Sequence, residues 1–370
     1  MSRPGLLVVN SSRSWGGNEF WAVRVARGLA ERGHPVRFVW SHAVVGERVR
    51  AAGLAGRQVS LRNDADLAGI LALARELRRV EARAVLLTRW REYLLGGLAA
   101  RLAGRPRVVM GLGLKIEPAG DPKRRLIFAL ADRVLVNAPE IAQALATRSW
   151  IPPRKVAVVI NGVDLARWRP RWEPSRQEAG RRFRAELGVA PQAPLLLNIG
   201  NLTEQKDQAN LVAACARLRA RQPALRAVIL GEGFLRPRLE AAIAAQDLAD
   251  TVTLAGFRAD PAPALAAADL FVLSSANEGM AWVLMEAAAS GLPIVTTDVS
   301  GARHCVDDGV TGRVVPRRDP GALAAAVAEL LDDPQRRASM GRAGRALAES
   351  RLDAQRMLDE TAAVLFDPNP

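Results

Sequence analysis

The sequence is poor in the residues that build disulfide frameworks, metal centres and membrane spans. It has two cysteines and three histidines in 370 residues, too few and too scattered for a disulfide scaffold or a metal cluster. Its apolar runs stay well below the roughly 18 residues of a transmembrane helix. Residues 5–9 are too short an apolar segment for a signal peptide. We therefore expect no metal, no disulfide, and the reducing cytoplasm as the compartment.

Lysine is also scarce, and the positive charge is unevenly placed. Only four of the 52 basic residues are lysines, a ratio typical of nucleotide-composition bias. Residues 1–160 carry 27 basic and 12 acidic side chains, a net charge of +15, whereas residues 161–370 carry 25 and 26, a net charge of −1. Bias explains arginine over lysine but not this asymmetry. The first half is therefore predicted to attract an anionic partner, such as nucleic acid, a phosphorylated substrate or an anionic membrane surface.

Alternating patterns of short apolar runs and helical spacing predict an α/β fold with two doubly wound, Rossmann-like domains. Strand Leu6–Asn10, helix Asn18–Arg32 and strand Val36–Trp40 form the first such unit. Arg167–Glu178 shows no period and is interpreted as a linker, after which the alternation resumes at Leu195–Ile199. We expect one domain at 1–170, with a helix at about 350–370 packing back on it, and another at 171–349. Ligands of such folds bind at the carboxyl ends of the strands and in the cleft that the domains face.

Glycines follow three of the predicted strands, at Gly16-Gly17, at Gly200 and at Gly231-Glu232-Gly233. Each is compatible with a plain turn or with close approach of the backbone to a phosphate. Lys206 lies near a predicted helix start, where its charge is unfavourable unless an anion is present. A solvated surface lysine is the alternative.

Two glutamates stand out in residues 274–287. Glu278 lies in a polar loop, and Glu286 follows after seven residues inside a very apolar helix. A carboxylate among apolar residues needs hydrogen-bond donors, which ligand hydroxyls or an arginine could supply. Glu278 by itself is compatible with simple helix capping.

These motifs together resemble a retaining family 4 glycosyltransferase with the GT-B fold. The matching stretches cover nearly the whole chain: Gly16-Gly17, residues 32–36, Ile160-Asn161-Gly162-Val163-Asp164, Gly200 to Lys206, Gly231-Glu232-Gly233, the Glu-x7-Glu element at 278–286, residues 290–295 and residues 308–312.

The resemblance implies that the first domain binds the acceptor and the second binds a UDP- or GDP-sugar donor, with no metal or other cofactor. Lys206 would neutralise the diphosphate, Glu278 would meet the donor sugar, and Glu286 would accept hydrogen bonds from the ribose hydroxyls. The remaining donor-binding residues implied are Gly16, Gly17, Gly200, Asn201, Glu232, Phe257, Arg258, Gly279, Met280 and Ala281. The implied acceptor is a cell-envelope glycan or glycolipid, such as lipopolysaccharide core or a lipid-linked saccharide.

The chain departs from the family pattern at three places: at Asn201, in residues 111–117, and at His304, where the family usually has a glutamate. Asn201 stands where the family usually has an arginine, so that phosphate contact is lost or supplied by another arginine. Residues 111–117 lack the histidine that many members carry there, and Lys115 is a candidate without an assigned role. In a retaining front-face mechanism the departing phosphate itself takes the acceptor proton.

Three alternatives accompany this interpretation. A sugar-nucleotide epimerase or a phosphorylase would share the fold, although scattered histidines argue against an epimerase. A nucleic-acid binder is disfavoured because no binding motif with interleaved aromatics occurs.

Peripheral contact with the inner membrane face is expected from the basic half and its aromatics Trp15, Phe20, Trp21, Trp90 and Tyr93.

Overall fold

The computed structural model describes residues 3–113 and 120–367 and contains two compact units. Unit 1 consists of Met1–Ile160 and Gln355–Pro370, and unit 2 of Asn161–Ala354. The chain passes from unit 1 to unit 2 after residue 160, ten residues before the expected domain boundary at 170/171. It returns to unit 1 after residue 354, five residues after the expected boundary at 349/350.

Unit 1 contains a seven-stranded parallel sheet in the order β3-β2-β1-β4-β5-β6-β7. The order reverses between β1 and β4, which is the topological switch point where doubly wound sheets bind ligands. The strands are Gly5–Asn10 (β1), Val36–Trp40 (β2), Gly56–Gln58 (β3), Ala82–Leu87 (β4), Arg107–Leu112 (β5), Arg133–Val136 (β6) and Val156–Val158 (β7). The helices are Gly17–Glu31 (α1), Ala43–Ala51 (α2), Leu67–Arg79 (α3), Trp90–Leu102 (α4), Pro122–Leu130 (α5) and Pro139–Ala146 (α6), and a 3₁₀ turn covers Pro153–Lys155.

Unit 2 repeats this plan with six parallel strands in the order β10-β9-β8-β11-β12-β13. Its switch point lies between β8 and β11. The strands are Leu195–Ile199 (β8), Arg226–Leu230 (β9), Val252–Gly256 (β10), Leu270–Leu273 (β11), Ile294–Thr297 (β12) and Gly312–Val315 (β13). The helices are Pro174–Glu186 (α7), Gln208–Leu218 (α8), Arg236–Ala245 (α9), Ala262–Ala267 (α10), Trp282–Ala289 (α11), Ala302–Cys305 (α12), Pro320–Leu331 (α13) and Pro334–Arg351 (α14).

The central strands of both sheets are apolar on both faces because helices cover each side. Every residue of β1 and of β11 is buried. Continuous apolar runs of this kind are typical of parallel sheets, whose two faces both lie in the core. The sequence interpretation of an α/β fold with two doubly wound domains is confirmed.

The expected linker at Arg167–Glu178 is wrong in its second half, because α7 begins at Pro174. Its many arginines hide the helical period. The helix is stabilised by tertiary packing instead: Phe183 is buried, and a Cβ at Gly180 would lie 2.9 Å from the carbonyl carbon of Ala266. Packing on α10 therefore decides the structure of a segment whose local pattern is weak.

The last helix, Ala354–Phe366 (α15), packs within unit 1. A Cβ at Gly28 of α1 would lie 2.4 Å from Leu358 Cδ1, so glycine permits the two helices to approach closely. The Arg32 guanidinium donates to Asp359 over 2.7 Å, and the His34 ring stacks on Phe366 at 4.8 Å.

Candidate active site

In unit 2, the loops after β8 and β11 meet at the switch point of the sheet. Lys206 ends the loop after β8, one residue before the N-cap of α8, and Glu278 lies in the loop after β11. Lys206 Nζ donates to Glu278 Oε1 over 2.5 Å. Residues that are 72 positions apart in the sequence therefore form one ionic pair.

Glu278 is held by further donors. The Ser275 hydroxyl donates to Oε1 over 2.9 Å, and Gln205 Nε2 donates to Oε2 over 3.4 Å. The Glu278 side chain is 7% exposed and that of Lys206 is 20% exposed. Glu278 is therefore a buried, fixed carboxylate rather than a solvated capping residue. The Lys206 ammonium has three N–H donors, so the pair leaves donors of Lys206 for an anion.

A close backbone approach joins the loops after β8 and β9. Gly200 N donates to Leu230 O over 2.9 Å, and Leu202 N donates to Glu232 O over 3.0 Å. Gly231 has φ +149°, and a Cβ there would lie 2.0 Å from Gly200 O. Only glycine fits this crossing, which brings Gly200, Asn201 and Glu232 to one part of the carboxyl edge.

The N-terminus of α11 adds a second positive feature at this edge. Ala281 is its N-cap and has no side-chain acceptor for the first-turn amides. Met280 and Ala281 are buried, while a Cβ at Gly301 would lie 2.5 Å from Gly279 O, so the backbone of this loop is tightly held. Helix N-termini with such amides favour anions.

Glu286 lies on α11, partly exposed, between Met285 and Ala287, which are fully buried. A carboxylate at the margin of an apolar helix retains access to water. The free-energy cost of burying this carboxylate, which the apolar sequence pattern suggested, is therefore smaller than expected. Ligand hydroxyls remain compatible donors for Glu286, but its burial does not require them.

The two donor-site candidates that follow β10, Phe257 and Arg258, have different surroundings. Phe257 is 66% exposed. The Arg258 guanidinium pairs with Glu186 of α7, and Glu232 accepts from Arg236 over 3.1 Å. Arg258 is thus engaged by α7, a helix whose first five residues the sequence interpretation assigned to a linker.

In unit 1, Gly16 and Gly17 form the start of α1, with Gly16 as N-cap in extended conformation. Sequence reasoning missed the polar network beside them, which connects the ends of β1 and β4. Asn10 Nδ2 donates to Thr88 Oγ1 over 2.8 Å and to Glu19 Oε1 over 3.3 Å. Arg89 Nε donates to the same Glu19 oxygen over 2.9 Å.

Glu92, on the first turn of α4, completes this network. Its Oε1 accepts from Thr88 N over 2.5 Å and from the Thr88 hydroxyl over 2.9 Å. Burial raises the pKa of Glu92 to about 8, although the hydrogen bonds from Thr88 act in the opposite direction. The available sequence signal was weak: polar residues end two strands, and a glutamate stands three positions after the helix N-cap.

Two of the aromatic residues expected to contact a membrane are buried, so that expectation is wrong for them. Trp21 and Tyr93 are 5% and 2% exposed. A Cβ at Gly111 would lie 2.9 Å from the Trp21 ring, and the Tyr93 hydroxyl donates to Gly111 O over 2.6 Å. Both rings are core residues, whereas Trp90 is 39% exposed.

Within residues 3–113 and 120–367, no three His, Cys, Asp or Glu side chains are grouped so that they could hold a metal ion. In the same ranges no helix has both the length and the apolar character needed to span a bilayer. Lys115 lies outside the described residues.

Comparison with known proteins assigns the family. The model of the group 1 glycosyl transferases matches residues 181–347, and that of Glycosyltransferase Family 4 matches residues 15–167. The chain belongs to the family 4 glycosyltransferases. Its fold is GT-B: HepE from Anabaena, solved in complex with UDP, has a TM-score of 0.86 at 21% identity over 98% of this chain and 99% of that chain.

Two curated relatives illustrate the range of functions among similar proteins. A D-inositol 3-phosphate glycosyltransferase of Thermobispora bispora is 36% identical over 58% of this chain and 51% of its own length. The lipopolysaccharide core biosynthesis glycosyltransferase LpsE of Rhizobium meliloti is 29% identical over 62% of this chain and 63% of its own length. The alignments thus span between half and two thirds of these relatives.

Proposed function

We propose that the protein is a retaining glycosyltransferase that moves a sugar from a UDP- or GDP-sugar to an acceptor without a divalent metal. The main support for this proposal is the Lys206–Glu278 pair at the switch point of unit 2, beside the N-terminus of α11. Family membership and the UDP complex of the similar HepE structure support this proposal.

In the proposed donor site, each residue acts on a different part of the nucleotide sugar. Lys206 and the first-turn amides of α11 bind the diphosphate and stabilise the charge that develops on it. Glu278 and the backbone of Gly279, Met280 and Ala281 contact the donor sugar and phosphates, and Glu286 accepts from the ribose hydroxyls. Gly200, Asn201, Glu232, Phe257 and Arg258 complete the proposed set in unit 2. Gly16 and Gly17, at the start of α1, are a separate phosphate-binding proposal in unit 1.

The proposed reaction exchanges one bond at the anomeric carbon for another. The bond from that carbon to the diphosphate oxygen breaks, and a bond to the acceptor hydroxyl oxygen forms on the same face. The hydroxyl proton passes to the departing phosphate, so no side-chain base is required.

Calorimetric titration with UDP, GDP, ADP and CMP, in EDTA and in magnesium, tests the donor site. We expect one diphosphate to bind best in EDTA and to be weakened by Lys206→Ala and by Glu286→Ala. Glu178→Ala serves as the control, since this exposed glutamate pairs with Arg181 on α7. Binding that requires magnesium, or that both variants leave intact, would contradict the assignment.

Product analysis separates the alternatives. NMR of the product is expected to show the anomeric configuration of the donor. Release of sugar 1-phosphate that depends on inorganic phosphate would indicate a phosphorylase, and a new sugar nucleotide formed without acceptor would indicate an epimerase.

The acceptor, which we assign to unit 1, is proposed to be a cell-envelope glycan such as lipopolysaccharide core or a lipid-linked saccharide. The similarity to LpsE supports this class. A phosphorylated cyclitol is the second candidate, supported by the names of several relatives. Transfer assays that offer the two acceptor classes side by side decide between them.

Peripheral contact with an anionic membrane at the inner face is a further part of the proposal. Unit 1 carries 28 basic and 15 acidic side chains, a net charge of +13. Its helices α4 and α5 expose Trp90 and Leu126 beside Arg124, whose guanidinium lies 5.9 Å from the Trp90 ring. Sedimentation with phosphatidylglycerol and phosphatidylcholine vesicles tests this, and equal binding to both would refute it.

A further inference from the structure

The switch point of unit 1 carries a closed ring of hydrogen bonds. Asn10 is the last residue of β1, and its Oδ1 accepts from Ser12 N over 3.0 Å. Thr88 and Arg89 follow β4, and Arg89 Nη2 donates to the Ser12 hydroxyl over 3.3 Å. Together with Glu19 on α1, this ring ties the two loops that flank the switch point, where doubly wound sheets bind their ligands.

Arg89 is held at one edge and accessible at the other. Its Nε and Nη2 donate to Glu19, whose side chain is 1% exposed. The Arg89 side chain is 40% exposed, and its Nη1 has no hydrogen-bond partner among residues 3–113 and 120–367. The guanidinium therefore keeps N–H donors in a fixed orientation for an acceptor group.

Glu92 is completely buried against the same corner. Its Oε1 accepts from Thr88, while Oε2 is buried without a hydrogen-bond partner among the described residues. Among the described residues, the charged or ionisable groups facing the ring are Glu19 on α1, Arg89 at the N-cap of α4, and Tyr93 on α4. With Glu92 protonated, the Glu19–Arg89 pair is neutral overall within a unit of net charge +13.

We propose that Arg89 determines specificity by binding an anionic group of the acceptor, a phosphate or a carboxylate, and that Glu92 is the positioning residue that holds the Thr88–Arg89 corner. The inference rests on the proposed function, in which unit 1 binds the acceptor. The N–H donors of Nη1, whose orientation the Glu19 contact fixes, can donate to an oxygen of such a group.

Calorimetry with D-inositol 3-phosphate and with inositol, at pH 7, measures the preference for the anionic group. We expect the wild type to prefer the phosphate ester and Arg89→Gln to reduce that preference about 10- to 100-fold, the usual range for a charge-assisted contact. Arg91→Gln is the matched control, because Arg91 donates to Leu61 O instead. Absence of any preference in the wild type, or equal losses in both variants, would overturn the proposal.

Repeating the titration at pH 9 tests Glu92. Burial raises the pKa of Glu92 to about 8, so it ionises between the two pH values and adds a negative charge to the ring. A phosphate ester is already largely dianionic at pH 7, since its second pKa is about 6. The preference is expected to fall at pH 9 in the wild type and to persist in Glu92→Gln. A parallel fall in both proteins would refute the positioning role, and Arg89→Gln tests the site even if Glu92→Gln fails to fold.

Two further arms identify the source of the anionic group and separate the proposals. Competition by phosphatidylglycerol vesicles that Arg89→Gln abolishes would indicate a lipid headgroup, whereas competition by inorganic phosphate alone would indicate a soluble ester. UDP titration runs in parallel. UDP binding without a phosphate preference overturns this inference alone, and a phosphate preference without nucleotide binding overturns the proposed function.

Discussion

Replacing Lys206 by methionine removes the positive partner of a carboxylate that is 7% exposed. Removing one member of a buried ion pair costs about 3–5 kcal/mol, because the other charge is left without compensation. Lys206 is itself 20% exposed, and Glu278 keeps the hydrogen bonds from Ser275 and Gln205. We therefore expect the free energy of unfolding of unit 2 to fall by about 2 kcal/mol.

A double-mutant cycle isolates the pair. Lys206→Met, Glu278→Gln and the combined variant are compared with the wild type by urea unfolding. The combined variant has no uncompensated charge, so its loss should be smaller than the sum of the single losses by about 1–2 kcal/mol. Coupling near zero would show that the pair contributes nothing to the folded state.

Nucleotide binding separates this structural contribution from the proposed role on the diphosphate. UDP affinity is expected to fall about 10- to 100-fold in Lys206→Met and equally in the combined variant, because both lack the ammonium donors. Glu278→Gln should keep its UDP affinity and lose sugar transfer. Unchanged UDP binding in Lys206→Met would refute the assignment of Lys206.

Three further predictions concern stability and reactivity. Gly231→Ala should lower the unfolding midpoint in urea strongly, because a Cβ there would lie 2.0 Å from a carbonyl oxygen. Gly188→Ala is the control: its φ of +64° imposes backbone strain, but nothing lies within 4 Å of the added Cβ, so its loss should be smaller. Equal losses would contradict the crossing. Glu92 has a pKa of about 8 in the folded protein, against an ordinary value of 4.5. Relative to Glu92→Gln, the wild type should therefore lose up to about 1.4 kcal/mol of its free energy of unfolding per pH unit as the pH rises between these two values. Identical pH profiles of the two proteins would refute this. Burial raises the pKa of Cys215 and Cys305 to about 12, so thiol reagents at pH 8 should modify them only after denaturation, and rapid native labelling would contradict it.

The polar network of unit 1 and the ionic pair of unit 2 occupy equivalent places in two similar sheets. In each unit the segments that follow the two strands at the reversal of strand order are tied by a carboxylate and a cation. These pairs are Glu19, in the first turn of α1, with Arg89, and Glu278 with Lys206. A carboxylate in such a position orients the cation and limits its net charge. Both pairs therefore present hydrogen-bond donors without a large excess of positive charge at the edge.

The alternation of strands and helices, the apolar central strands and the motifs of the family could be predicted from the sequence, because each depends on residues close together in the chain. Strand β2 at Val36–Trp40 and strand β8 at Leu195–Ile199 have the predicted bounds. Weakly patterned segments such as α7 could not be predicted, since its stability comes from packing on α10.

Tertiary structure decided which of the predicted polar residues meet. The order of the strands places β8 beside β11 and β1 beside β4, so Lys206 reaches Glu278 across 72 positions and Asn10 reaches Thr88 across 78. The same long-range packing draws Arg258 to Glu186 and buries Trp21 and Tyr93. Short-range patterns specify the elements of a fold, whereas the partners of a side chain depend on sheet order and on the burial that sheet order creates.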